Sequence, residues 1–161
     1  MSITIPAPPE PHAAVEQRLD LEAVAPDAYR AVLGLERYAR ASVDHDLLHL
    51  VKLRASLLNG CAFCVDLHAV DALSSGEHVR RLFAVGAWRE SSLFTAAERA
   101  ALALTDAVTK LGEHGVPDDV WADAVGALGE KRAADVLVAI ATINVWNRVA
   151  VATRMPAPPL R

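Results

Sequence analysis

Aromatic residues are scarce in this chain of 161 residues: Phe, Trp and Tyr together make up 5%. A sheet protein draws heavily on Val, Tyr and Phe, so the shortage, beside abundant alanine, favours tightly packed helices. A basic block is also missing. Sixteen Lys and Arg stand against twenty Asp and Glu, a formal net charge of −4. That leaves no electrostatic footprint for nucleic acid or an anionic membrane. No segment reads as long and apolar enough to span a bilayer, which takes about 20 residues. The opening "MSITIPAPPEPH" lacks the basic region and apolar run of a secretory signal. These absences give the expectation of a cytoplasmic protein. Strand-like alternation, a glycine-rich phosphate loop, long-period repeats and a domain linker are absent too. Cysteine occurs only twice, at Cys61 and Cys64. In a reducing compartment a permanent structural disulfide is not expected there, and a Cys-x-x-Cys points to catalysis or metal binding.

What remains is enough for one domain with a hydrophobic core: 53% of the residues are hydrophobic. The fold class is read as all-α, with a proline-rich N-terminal arm over 1–21, one helical domain over 22–154 and a proline-rich tail over 155–161. "IPAPPEP" and "MPAPPLR" are stiff, extended segments, read as solvated tails or as arms along a neighbouring subunit. Pro26 suits a first helical turn, and Asp44 suits the N-cap of "HDLLHLVKLRASLLN". Asn59-Gly60 stops that helix, because both residues tolerate the left-handed conformation of a C-terminal cap. A helix restarts near Cys61 and runs to about Leu73. Ser74 with Glu77, and Thr95 with Glu98, are spaced as capping boxes. Pro117 opens a short helix that Gly129 closes. The last helix is apolar on nearly every face from Ala133 to Ala152, which predicts burial all round, inside the domain or an oligomer.

The two cysteines sit just after the Asn59-Gly60 break. Positions i, i+3 and i+7 share one helix face, and Cys61, Cys64 and His68 have that spacing. A thiol at a helix N-terminus meets unpaired N–H groups and the positive end of the macrodipole, which favour the thiolate. His68 is placed to take a proton from Cys64 directly or through water. Two other readings stand beside a redox pair. Both cysteines suit packing as small apolar residues. Cys61, Cys64, His68 and His49 also form a chemically acceptable zinc set. Register weighs against zinc. In an antiparallel hairpin Cys64 lies opposite Ser56 and His68 opposite Lys52, which leaves His49 about 10 Å further along.

The stretch "LVKLRASLLNGCAFCVDLH" resembles the core motif of the alkyl hydroperoxidase D-like (AhpD-like) proteins of the carboxymuconolactone decarboxylase superfamily. "AWRESSLFTAAERAALALTDAVTKL" and "IATINVWNRVAV" resemble the family's downstream helices, so the likeness covers about residues 26 to 154. The resemblance implies a single-domain AhpD-like helical fold, with the Cys-x-x-Cys at the start of a helix in a helical hairpin. It implies a homo-oligomer, trimer or hexamer, and a thiol-dependent peroxidase. In that scheme Cys64 attacks a hydroperoxide, Cys61 closes a disulfide and His68 belongs to the proton relay. An external dithiol then restores the pair, in some members a lipoyl-bearing or thioredoxin-like protein. No bound cofactor or metal is implied.

The sequence departs from the family pattern at Phe63, between the cysteines, and at His49, where the family carries glutamate. A histidine can pass a proton but cannot supply the negative charge. His49 is read either as a relay residue or as a helix residue without a role. Trp88, Trp121 and Trp146 are read as core or interface. Asn144 and Asn147 need partners on a buried helix. Arg54 and Ser56 are candidates for orienting the loop or binding a substrate anion. His12, His45, His78 and His114 are read as surface residues, and Asp66 and Asp71 flank His68 but are read as falling largely on other faces of the helix. The expected function is reduction of hydroperoxides through Cys61, Cys64 and His68. The alternatives are a thiol–disulfide oxidoreductase with little peroxide turnover, or a non-catalytic zinc-binding or redox-sensing protein. Decarboxylation, despite the superfamily's name, does not call for a Cys-x-x-Cys.

Overall fold

A computed structural model describes residues 16–157. Within them α1 spans Leu21–Val24, α2 Pro26–Ser42, α3 His45–Asn59, α4 Ala62–Ser74 and α5 Val79–Ala84. A 3-10 segment over Val85–Glu90 follows, then α6 Ala96–Thr109, α7 Asp118–Leu128 and α8 Glu130–Thr153. No strand forms among the described residues. The all-α expectation holds. "IPAPPEP" and the end of "MPAPPLR" lie outside the described residues, as does His12.

The helix boundaries follow local chemistry. Pro26 fills the first turn of α2, where a missing N–H costs nothing. Gly60 ends α3 in the left-handed region at φ 65°, ψ 32° and sends its N–H back to the carbonyls of Leu57 and Ser56. Its neighbour Cys61 gives its N–H to the Ser56 carbonyl at 3.0 Å. The chain therefore reverses at once, and α4 folds back on α3 as a hairpin. Thr95 and Glu98 make both bonds of a capping box at the start of α6.

Two caps differ from expectation. Ser74 is the last residue of α4, and Glu77 accepts from the His78 N–H and from Arg81. No Ser74–Glu77 box forms, and His78 caps α5 through its ring nitrogen. Asp44 sits at the N-cap of α3 but makes no side-chain cap bond, because its carboxylate pairs with Arg132 at the start of α8.

The hairpin helix α3 is central, packing against α2, α4, α6 and α8. One core joins α2, α3, α6, α7 and α8 through residues such as Ala39, Val51, Leu104 and Ile140. A second lies under α4, α5 and the 3-10 segment around Leu50, Leu82, Trp88 and Leu102. The smallest contains Ala55, Cys61, Cys64, Ile143 and Ala150. It holds the hairpin turn against α8.

Helix α8 corrects two expectations. Its 24 residues, with mean hydropathy 1.5 over the most apolar window, are long and apolar enough to cross a membrane by length and composition. Here it packs against α2, α3, α6 and α7 instead. Nor is it buried all round: Ala134, Ala141, Val145 and Ala152 form an exposed stripe along one side. The reason is geometric. The neighbouring helices leave one side of α8 uncovered, and that side carries these small residues together with Arg148.

Candidate functional site

Cys61 is the N-cap of α4 and Cys64 lies in its first turn. The sulfurs are free and stand 2.6 Å apart. The Cys64 N–H donates to the Cys61 sulfur at 3.3 Å. Helix phase alone brings this about, because a cap side chain folds toward the N–H groups two and three residues on. Both cysteines are buried, at 1% and 2% exposure.

The pair shares a proton unequally. The Cys64 thiol, donating to Cys61, holds the Cys61 thiol down at about 7; the backbone N–H and the Asn147 amide act in the same direction against burial. The same hydrogen bond, together with burial, pushes Cys64 above the ordinary thiol range. When the pair loses a proton, the charge is therefore favoured at Cys61, against the helix N-terminus. Only Cys64 of the two lines a cavity.

That cavity has a volume of about 210 Å³. Its apolar wall is built by Tyr29 and Leu33 of α2, Phe63 and Leu67 of α4, Trp146 of α8, and Met155. Trp146 packs edge-to-face on Tyr29, with centroids 5.3 Å apart. The polar end holds Cys64, His68, Glu36 and Arg40. Burial, and then the charge of Lys52, depress the His68 pKa to about 3 against a smaller opposing pull from Glu36. The imidazole is therefore neutral near pH 7 and able to pass a proton without holding one.

Lys52, fully buried at 2% exposure, pairs with Glu36 across the interface of α2 and α3. Arg40 also donates to Glu36 Oε1, at 2.7 Å. Burial works to raise Glu36, but the hydrogen bonds and charges of Lys52 and Arg40 outweigh it and hold the carboxyl below its ordinary range. Burial lowers Lys52, and Glu36 opposes that.

Of the sequence candidates, Cys64 and His68 meet at the cavity, and Cys61 stands behind Cys64. His49 does not line the cavity. Its ring packs edge-on against His45 at 4.3 Å between centroids, with the two Nε2 atoms 3.2 Å apart. Among the described residues no three His, Cys, Asp or Glu side chains converge as a metal site would need. Arg54 is tied to Asp106 and to the Gly86 carbonyl. Ser56 bonds the Lys52 carbonyl at 2.7 Å and accepts from Asn147 at 3.1 Å. Asn59 donates to both Asn144 and Asn147 at 2.9 Å. These amides pin the hairpin turn to α8. Trp88 is buried, Trp121 is exposed at 41%, and Trp146 serves the cavity wall rather than the core alone.

Sequence reasoning passed over Glu36 and Lys52. A signal was present. Tyr29, Leu33, Glu36 and Arg40 fall on one helical stripe, so an acidic residue interrupts the cavity face of an otherwise amphipathic helix.

The neutral His68 has a consequence for stability. The unfolded chain, with a histidine near 6.5, takes up a proton before the folded chain does. Stability from this group is complete above about pH 6.5 and is lost as pH falls toward the folded value. The slope is about 1.4 kcal/mol per pH unit for one such group. His49, lowered mainly by burial and then by His45, adds in the same direction. Urea unfolding between about pH 6.5 and 5 is expected to show this decline, and His68→Asn is expected to flatten it.

The model of the Carboxymuconolactone decarboxylase family matches residues 25–107. The uncharacterised protein YdfG of Bacillus subtilis is 32% identical over 139 residues, covering 86% of this chain and 95% of that one. A solved protein of unknown function from Agrobacterium tumefaciens, described as a candidate antioxidant defence protein AhpD, is 40% identical. It superposes with a TM-score of 0.87 over 90% of this chain and all of its own. The debrominase Bmp8 shares the fold at a TM-score of 0.74 with 22% identity, over 83% of this chain and 72% of its own.

Proposed function

From the premise that this chain belongs to the carboxymuconolactone decarboxylase family as an AhpD-like member, we propose that it reduces organic hydroperoxides with Cys61 and Cys64. The observation that carries this reading is the free thiol pair, 2.6 Å apart, with Cys64 and His68 lining one apolar cavity. The Cys64 proton passes to His68. The thiolate attacks the terminal oxygen of the hydroperoxide, and the O–O bond breaks. Sulfur is oxidised to the sulfenic acid, and the departing alkoxide takes the proton from His68 to leave as the alcohol. Cys61 then attacks the Cys64 sulfur. A disulfide forms and water leaves. An external dithiol slim enough to enter the cavity reduces the disulfide through a mixed-disulfide intermediate.

The cavity favours this over exchange with protein disulfides. Such exchange needs a sulfur that a bulky partner can reach, and neither sulfur here exceeds 2% exposure. Turnover of tert-butyl hydroperoxide with dithiothreitol tests the reading. Alcohol is expected to form catalytically, and the activity is expected to fall sharply when a glutathionylated protein replaces the hydroperoxide. Robust exchange with the protein disulfide and no alcohol would establish the oxidoreductase alternative instead.

A further inference from the structure

Among the described residues two buried side-chain atoms lack a hydrogen-bond partner: Oε2 of Glu36 and Nδ1 of His49. A buried carboxylate oxygen left unpaired is costly and calls for a reason. The other oxygen of Glu36 is fully engaged by Lys52 and Arg40. Those two cations fix the carboxylate in place in the wall of the cavity that Cys64 and His68 also line. His49, at the position where the family motif carries its glutamate, faces His45 instead and lies outside the cavity wall.

We infer that Glu36 of α2 is the relay carboxylate of this protein: its charge, held in the wall of the same cavity with Oε2 unpaired, stabilises the positive charge that His68 carries while the Cys64 proton is in transit. Glu36 touches neither sulfur nor substrate in this role and is a positioning residue. The inference rests on the proposed peroxidase chemistry for its purpose, but its test does not. The charged groups around His68 are Glu36 and Arg40 from α2, Lys52 and His49 from α3, and Cys64 on its own helix; α8 contributes Trp146 and Ala150 to the cavity, neither of them charged. Glu36 is the one acid in that set. Without it, a protonated His68 faces Lys52, Arg40 and His49, and the remaining acid nearby, Asp71 of its own helix, acts on Lys52 and His49.

Two roles for Glu36 predict opposite signs. If it were only a structural anion, replacing it by Gln would leave Lys52 unopposed near Cys64. The thiolate would be favoured and the thiol would react faster. If it supports His68, transfer of the Cys64 proton to His68 becomes less favourable and Cys64 reacts more slowly.

The experiment is alkylation of Cys64 by iodoacetamide from pH 5 to 9 in a Cys61→Ser background, where Cys64 is the single thiol. Glu36→Gln is expected to slow alkylation near pH 7 by at least about tenfold, within the usual reach of acid–base assistance. Glu36→Asp is expected to restore part of the rate. An unchanged or faster rate in Glu36→Gln would overturn the inference. Should that variant not fold, Glu36→Leu with Lys52→Met serves instead, read against Lys52→Met alone, because Lys52 itself favours the Cys64 thiolate. Alkylation slower than in Lys52→Met supports the relay, and alkylation at that rate or faster overturns it. Hydroperoxide turnover by the wild-type chain separates the two hypotheses. Glu36-dependent alkylation beside a wild-type chain inert to hydroperoxide would leave the relay standing and remove the peroxidase reading.

Discussion

Cys64→Ser is expected to bring hydroperoxide turnover down to the uncatalysed background, because it removes the sulfur that faces the cavity. A serine hydroxyl is far less acidic and less nucleophilic toward peroxide oxygen than a thiolate. Cys61→Ser is expected to behave differently. Its first turnover proceeds, one alcohol forms per chain, and the reaction stops with Cys64 as a sulfenic acid that a dimedone probe captures. The contrast matters because the two kinds of evidence about the pair point in different directions. Acidity favours Cys61, held at about 7 against the helix N-terminus. Access favours Cys64, which lines the cavity with His68. The account gives access the decision, because the hydroperoxide can enter only the cavity that Cys64 and His68 line, and His68 is there to take the Cys64 proton. If Cys64→Ser keeps a single turnover and Cys61→Ser has none, the roles are reversed.

The second large effect concerns folding. Lys52→Met is expected to cost about 3 kcal/mol in urea unfolding, the loss typical of a buried ion pair broken on one side. The single change leaves Glu36 buried with Arg40 alone, and the Arg40 side chain is 56% exposed. The paired change Glu36→Leu with Lys52→Met is expected to lie much closer to the parent, because neither charge is then left without its partner. A cost below about 1 kcal/mol for Lys52→Met would mean that water already reaches Glu36, which contradicts the closed setting assigned to it. Stability and chemistry thus meet in one contact. The ion pair that fastens α2 to α3 also holds a carboxylate in the cavity wall.

The parts of this fold that were legible in the sequence are those fixed by short-range chemistry. Asn59-Gly60 announced the hairpin because a left-handed residue must end α3 there. Cys61, Cys64 and His68 announced a shared face because helix phase depends only on spacing. Thr95 and Glu98 formed their box although Arg81 also pairs with Glu98, because that carboxylate has an oxygen for each. Ser74 and Glu77 have the same spacing, yet α4 continues through Ser74 and Arg81 draws Glu77 away. Asp44 was taken in the same manner by Arg132. The Arg132 partner is tertiary and leaves no local mark, whereas Arg81 lies only four residues after Glu77.

Glu36 is the sharpest case. In sequence it is one carboxylate on an ordinary amphipathic helix. Its meaning depends on Lys52, sixteen residues further on and on another helix. The motif directs attention to position 49, where charge is missing, and gives no hint that α2 can bring a carboxylate to the same cavity. Trp146 was hidden for a related reason. A tryptophan on a strongly apolar helix reads as core, and only the approach of Tyr29 and Phe63 shows that one of its faces borders a cavity.

The central claim is that Cys61 and Cys64 carry two electrons to a hydroperoxide within one chain. A single-turnover experiment without reductant tests it most directly: reduced protein is mixed with one equivalent of cumene hydroperoxide, and thiols, alcohol and chain connectivity are measured together. The account predicts one alcohol per chain, both thiols lost, and a disulfide joining Cys61 to Cys64 with no bond between chains. Thiols that stay free while the hydroperoxide persists would contradict it.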